Sequence, residues 1–107
     1  MTKGFLITFF SQRSREHEDR PLARWIIDQA MQLGIRGATL STAQEGFGHD
    51  GRYHSNGYFD MQDPPQRLTM AVTASECDAL FALMKSNDLK VFFTKEEIEF
   101  GFTSEDC

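Results

Sequence analysis

Cysteine is scarce in this chain, and its placement argues against a disulfide framework. Cys77 falls in a stretch of helical periodicity and Cys107 is the last residue, so neither position suggests a bridge. Long apolar runs are also missing. The longest, Phe5 to Phe10, is far short of the roughly 20 residues needed to cross a bilayer, so no direct membrane insertion is expected. No basic start leads into an apolar segment and a small-residue cleavage site, which makes the cytoplasm the expected location. Charge is spread unevenly: Arg13, Arg15, Arg20 and Arg24 cluster early, and no basic residue follows Lys95, whereas five acidic ones do. With 16 acidic against 11 basic side chains the net charge is -5. That balance repels a polyphosphate backbone, and no nucleic-acid partner is expected.

Aromatic residues are plentiful instead, at 12% of 107 residues, and ten of them are phenylalanine. They supply much of the volume for one modest core, so residues 1–107 are read as a single domain. Phe5-Leu6-Ile7-Thr8-Phe9-Phe10 reads as a strand apolar on both faces. A charged stretch from Ser11 to Arg20 follows, containing His17 and the early arginines Arg13, Arg15 and Arg20. Pro21 is placed in the first turn of a helix, and Leu22, Trp25, Ile26, Ala30 and Leu33 form its apolar stripe, with Gly34 as its stop.

Ala38 to Ala43 reads as a second strand, and Leu68 to Val72 as a third. Between them the pattern dissolves from Glu45 to Pro65, a connection well above the usual median of about 5 residues. It has the look of an overgrown hairpin. Thr73 followed by Glu76 has capping-box spacing, and Cys77, Leu80, Phe81 and Met84 give a second helical stripe that ends at Asn87-Asp88. Val91 to Phe93 and Ile98 to Phe102 read as one interrupted strand or two short ones, with Thr94 to Glu97 as a bulge or a turn.

The order strand, helix, strand, long loop, strand, helix, strand predicts an α+β, ferredoxin-like βαββαβ sandwich. Its four-stranded antiparallel sheet carries two helices on one face. Two helices cover only one side, yet Leu6 and Phe10 are apolar on the other. Either copies of the chain cover that side, which is the favoured reading, or a terminal segment folds over it.

Three groups of residues could carry chemistry. Glu45-Gly46-Phe47-Gly48-His49 follows the second strand directly. Glycines there let backbone N–H groups approach an anion, although the third glycine of a dinucleotide fingerprint and a Walker lysine are absent. His17, His49 and His54 form a candidate metal set, weakened by a five-residue step from 49 to 54 that is not a helical ligand spacing. No nucleophile motif is present. Glu96 and Glu97 are neighbours that would point to opposite faces of a strand, so the chain is not expected to be an enzyme.

The stretches Arg20-Pro21-Leu22 after a polar segment with His17, Gly34-Ile35-Arg36-Gly37-Ala38-Thr39, Glu45-Gly46-Phe47-Gly48-His49 with His54, and Leu68 to Val72 together resemble the PII-like proteins. The chain is most similar to their branch known as domain of unknown function one-ninety, over residues 5 to 102. That resemblance implies a homotrimer whose sheets face inward and a T-loop-like connection, 46–65, through which a protein target is contacted. It further implies a small anionic ligand in the clefts between subunits, with Gly46, Phe47, Gly48 and His49 at one part of that site. Ser86-Asn87-Asp88-Leu89-Lys90 replaces the glycine-rich phosphate loop and paired arginines of the PII pattern. An adenine nucleotide with fewer charges, ADP or AMP rather than ATP, is therefore the expected ligand, held by Lys90 with Arg52 or with Arg13, Arg15 and Arg20. No other cofactor is expected.

Overall fold

The structure is a computed structural model that describes residues 1–43, 45–47, 53–55 and 63–106. β1 (Thr2–Gln12) is the central strand. Two short strands, β2 (Glu16–His17) and β3 (Arg20–Pro21), then form a miniature hairpin. Its turn residues Glu18 and Asp19 both adopt positive φ, 54° and 61°, the conformation that matches the twist of a two-residue hairpin loop. The charged stretch after β1 is thus folded and paired, though too polar to be core.

The hairpin also alters the entry to α1 (Leu22–Gln32). Pro21 is the N-cap, with φ -53° and ψ 132°, and not a residue of the first turn as its sequence setting suggests. The reason is the pairing of Arg20–Pro21 with Glu16–His17, which holds Pro21 extended. No side chain caps the helix, but the Leu22 N–H donates to the Arg15 carbonyl at 2.8 Å, so the hairpin satisfies one of the free N–H groups of the first turn. Leu22, Trp25, Ile26 and Ala30 are buried, as the periodicity predicts, and Leu33 is partly buried.

β4 (Thr39–Thr42), β5 (Glu45–Phe47), β6 (Tyr53–Ser55) and β7 (Pro65–Val72) come next. β4 pairs antiparallel with β7, Thr42 opposite Gln66, and β5 with β6, Gly46 opposite His54. Within the long connection β5 and β6 are thus paired, which its glycine-rich composition hides. α2 (Ala74–Ser86) opens on the expected capping box: Glu76 N–H donates to Thr73 Oγ1 at 3.2 Å, and Thr73 N–H to Glu76 Oε1 at 2.9 Å. β8 (Phe92–Phe100) is one continuous strand, which decides between the readings left open by its sequence. Thr94 to Glu97 lacks apolar alternation because those side chains are exposed, yet the backbone pairs with β1 throughout.

The main sheet has the order β4-β7-β1-β8 with every pair antiparallel, and the predicted α+β, ferredoxin-like arrangement is the one observed. Ile7 and Phe9 of β1 with Leu68, Met70 and Val72 of β7 face Leu22, Trp25 and Ile26 of α1 and Cys77, Leu80 and Met84 of α2. Each large side chain buried in this way contributes about 1.5–3 kcal/mol, so this layer between sheet and helices carries most of the driving force. Phe81 closes it on the β8 side, 5.8 Å from Phe9 and edge-on to Phe93 at 4.8 Å between ring centres. Among the described residues no helix is long and apolar enough to cross a membrane.

The opposite face is organised in rows by the register. Ser41, Arg67, Phe10 and Phe92 lie side by side, followed by Thr39, Thr69, Thr8 and Thr94, then Ala71, Leu6 and Glu96. The Thr8 and Thr69 hydroxyls are 3.3 Å apart. Phe92 is 51% exposed, with its ring 5.6 Å from that of Phe10. Beyond β8 the chain turns back, so that Glu105 accepts from the Met1 amino group at 2.9 Å and from the Phe102 N–H at 3.3 Å. The Met1 bond, the larger influence, and the Phe102 bond hold the Glu105 carboxyl below its ordinary pKa.

Both helices end in the same motif. Ile35 N–H donates to Ala30 O and Gly34 N–H to Met31 O after α1; Leu89 N–H donates to Met84 O and Asp88 N–H to Lys85 O after α2. These are paired Schellman closures whose residue after the cap is left-handed. Gly34 adopts φ 80° without strain, whereas Asp88 holds φ 54° with a side chain in place. Asp88→Gly is expected to stabilise the protein by up to about 1 kcal/mol, read as a higher melting temperature in thermal denaturation. Gly4 is the reverse case. A Cβ there would fall on the Val72 carbonyl oxygen and lie 2.9 Å from the Phe100 ring, so Gly4→Ala is expected to lower stability by about 1–3 kcal/mol in urea denaturation.

Candidate ligand site at the loop end of the sheet

Register brings four chain segments to one end of the sheet. Gln12 at the end of β1 lies opposite Pro65 at the start of β7, Thr42 opposite Gln66, and Phe10 opposite Phe92. The 44–64 connection, the β2–β3 hairpin and the α2–β8 connection all emerge there. The segment that begins at Arg13 ties the others together. Arg13 N–H donates to Pro64 O at 3.2 Å and Ser14 N–H to Asp63 Oδ1 at 2.9 Å, holding the end of the long connection. Arg15 donates through Nη2 to the Lys90 carbonyl, holding the α2–β8 connection.

His17 makes the third tie. Its Nε2 lies 3.2 Å from Asn87 Oδ1, and the Asn87 Nδ2 donates to the Leu83 carbonyl at 2.8 Å. Since Nδ2 donates, Oδ1 is the acceptor, and the hydrogen is assigned to His17 Nε2. The imidazole also stands edge-on to the Trp25 indole, 4.9 Å between ring centres at 83°, with a Glu18 carboxylate oxygen 3.8 Å from Nε2. His17 therefore bridges the hairpin, α1 and the end of α2.

Of the basic residues near this end, Arg20 is paired with Asp28. Arg13, Lys90 and, on the open face, Arg67 are exposed, and none of the three forms an ion pair among the described residues. The site residues expected from sequence divide accordingly. Lys90 is at this end; Gly46 and Phe47 sit in β5, opposite His54 and Tyr53 in β6. Gly48, His49 and Arg52 lie outside the described residues. Of the metal set His17, His49 and His54, the first is engaged by Asn87 and Trp25. Among the described residues no group of three or more His, Cys, Asp or Glu is placed to hold a metal ion.

Sequence reasoning missed Asn87 and Asp63, which hold the hairpin from two directions. Neither carries a motif; both contacts span about half the chain or more, and only the tertiary fold makes them. Two other features carry less. Burial pushes the Cys77 thiol above its ordinary pKa despite the nearby Lys95, which keeps it a protonated, poor nucleophile. An open groove of about 510 Å³ lies at the far end of the sheet, lined by Lys3, Gly4, Phe5, Ala74, Glu97, Ile98 and Glu99. Its two carboxylates face one lysine, a poor setting for an anion.

Comparison finds the same ferredoxin-like fold in PII-like proteins of known structure. The chain is similar to CPII, a nitrogen regulatory PII-like protein from Thiomonas intermedia K12, in the form bound to ADP, AMP and bicarbonate. The TM-score is 0.69 at 14% identity, over 94% of this chain and 90% of that one. A second CPII structure, bound to ADP and bicarbonate, gives 0.61 at 17% identity over 94% and 93%. A protein of Thermus thermophilus named as PII-like signaling gives 0.57 at 16% identity over 92% and 90%. At these identities the likeness is one of fold. The chain belongs to the family DUF190, described as "Uncharacterized ACR", whose model matches residues 4–100. No curated protein matches it.

The His17–Asn87 bridge is open to test. Asn87→Ala removes a side chain that serves two partners, and is expected to lower stability by about 1 kcal/mol. Hydrogen exchange should quicken in residues 13–21 more than in β1; equal acceleration throughout would mean that Asn87 merely caps α2.

Proposed function

We propose that this chain is a PII-like homotrimeric sensor that binds a small anionic ligand between subunits and signals through the 46–65 connection to a partner protein. The ligand class is an adenine nucleotide, ADP or AMP in preference to ATP. The observation that supports this most is the bonded convergence at one sheet end: both roots of the long connection, the basic segment from Arg13 and the Lys90 connection. Ligands of CPII, ADP and AMP among them, support the same class.

In this reading the backbone amides of Gly46 to His49 receive a phosphate, and Arg52 and Lys90 supply charge. Ser86 to Lys90 lacks glycine, which limits close backbone approach there and favours the nucleotide with fewer charges. Ligand held at Lys90 acts on the Arg15 bond to the same residue's carbonyl, and through Ser14 on Asp63 at the root of the connection. Occupancy then biases the connection toward one arrangement, a population shift read by the partner. The chain acts by binding, not catalysis, in the cytoplasm. The metal reading through His17, His49 and His54 draws no support from His17, whose Nε2 is hydrogen-bonded to Asn87.

Isothermal titration with ATP, ADP, AMP and cyclic nucleotides tests the proposal. Saturable binding is expected, tighter for ADP or AMP, and abolished by Gly48→Val. Silence from every nucleotide would refute the ligand class.

A further inference from the structure

Residues 13–21 are held differently from the rest of the fold. None of them is buried, whereas the chain on either side enters the core, at Phe9 and again at Leu22. Apart from the edge contact of His17 with Trp25, apolar packing contributes little here. Polar contacts hold the segment instead. Arg13 N–H donates to the Pro64 carbonyl and Ser14 N–H to Asp63 Oδ1. Arg15 Nη2 donates to the Lys90 carbonyl, His17 Nε2 to Asn87 Oδ1, and Arg20 pairs with Asp28. Water competes for such groups at the surface, so each contributes little. A unit held in this way opens at a lower free energy than core strands and helices.

The turn works against the closed form. Glu18 and Asp19 both hold positive φ, 54° and 61°, a region unfavourable to residues with a Cβ. A two-residue loop of this hand favours Asn-Gly, and neither residue stands there. Backbone of this kind persists only where its surroundings over-determine it. Here the surroundings are the bonds to Asp63 and Pro64 on one side and to Asn87 and Lys90 on the other. The turn is joined to those bonds by the pairing of His17 with Arg20 and Glu16 with Pro21, and by Leu22 N–H donating to Arg15 O at 2.8 Å. Unpairing the hairpin therefore loosens the residues that hold both connections.

We propose that residues 13–21 are a latch: one cooperative unit, closed against the preference of its own turn, that opens while the core stays intact. Closed, it joins the Asp63–Pro64 root of the long connection to the α2–β8 connection at Asn87 and Lys90. Open, it frees both together. The two connections are thus linked through the population of the closed form, and a change at either shifts the other. The latch regulates the candidate site, and rests on the sensor reading only for what it serves. Its test uses no nucleotide, so a chain that bound no ADP would refute the sensor's ligand and leave the latch standing.

Hydrogen exchange of the full chain without ligand, resolved by residue with NMR, tests the latch. In the wild type the amides of Arg13, Ser14, Arg20 and Leu22 should share one opening, about tenfold or more faster than that of Ile7 and Phe9 once intrinsic rates are removed. Exchange at these four no faster than in β1 would mean that the segment opens only with the core, and overturns the proposal. The double variant Glu18→Asn, Asp19→Gly gives the turn its favoured pair and should slow all four by about tenfold. Slowing confined to His17 and Arg20 beside the turn, or none, overturns the cooperative unit. Asp63→Ala removes a tie from the opposite side and should quicken Arg20 and Leu22 severalfold; an effect restricted to Ser14, which loses its own acceptor, has the same adverse meaning. If the double variant fails to fold, Asp19→Gly alone takes its place with a smaller slowing at the same four amides, and no slowing overturns the latch.

Discussion

The backbone of β1 is bonded along both sides, to β7 and to β8, and this double pairing fixes where every side chain of the sheet points. Period-two alternation then sends Ile7 and Phe9 into the helix layer and Leu6, Thr8 and Phe10 to the other side. A one-residue slip against either neighbour would exchange the two sets and put Thr8 in the core. The same registers bring Gln12, Pro65 and Phe92 to one end. Core, open face and the end that carries the candidate site are three results of one set of backbone bonds.

Much of this was legible in the sequence, for identifiable reasons. α1 announces itself through Leu22, Trp25, Ile26 and Ala30, and α2 through the reciprocal bonds of Thr73 and Glu76. The βαββαβ order follows from the elements once these are placed. β8 was harder. As an edge strand it has exposed side chains from Phe92 to Glu97, and without a buried face there is no alternation to read. The β2–β3 hairpin was hidden for a different reason: its turn is built by Glu18 and Asp19 in a left-handed conformation that glycine or asparagine would have signalled.

The candidate site shows the same division. Lys90 and the early arginines were visible as charge, and the glycines of Glu45 to His49 as a break in pattern. What joins them was not visible. Bonds from Arg15 to Lys90 and from His17 to Asn87 connect residues more than 65 apart in sequence, and local composition carries no trace of such pairs. His17 illustrates the point: three histidines in a polar setting suggest a ligand set, whereas the fold engages this one in holding two helices and a hairpin in register.

β8 has a further consequence. It is a nine-residue edge strand, and its outer side has no neighbouring strand among the described strands of the main sheet. An edge of that length beginning Phe92-Phe93 is a template on which fibrils can nucleate. Lys95, Glu96, Glu97 and Glu99 interrupt it along most of its length. Charges at the rim of the sheet oppose edge-to-edge pairing, so substitutions that neutralise them favour association even where the fold itself is untouched.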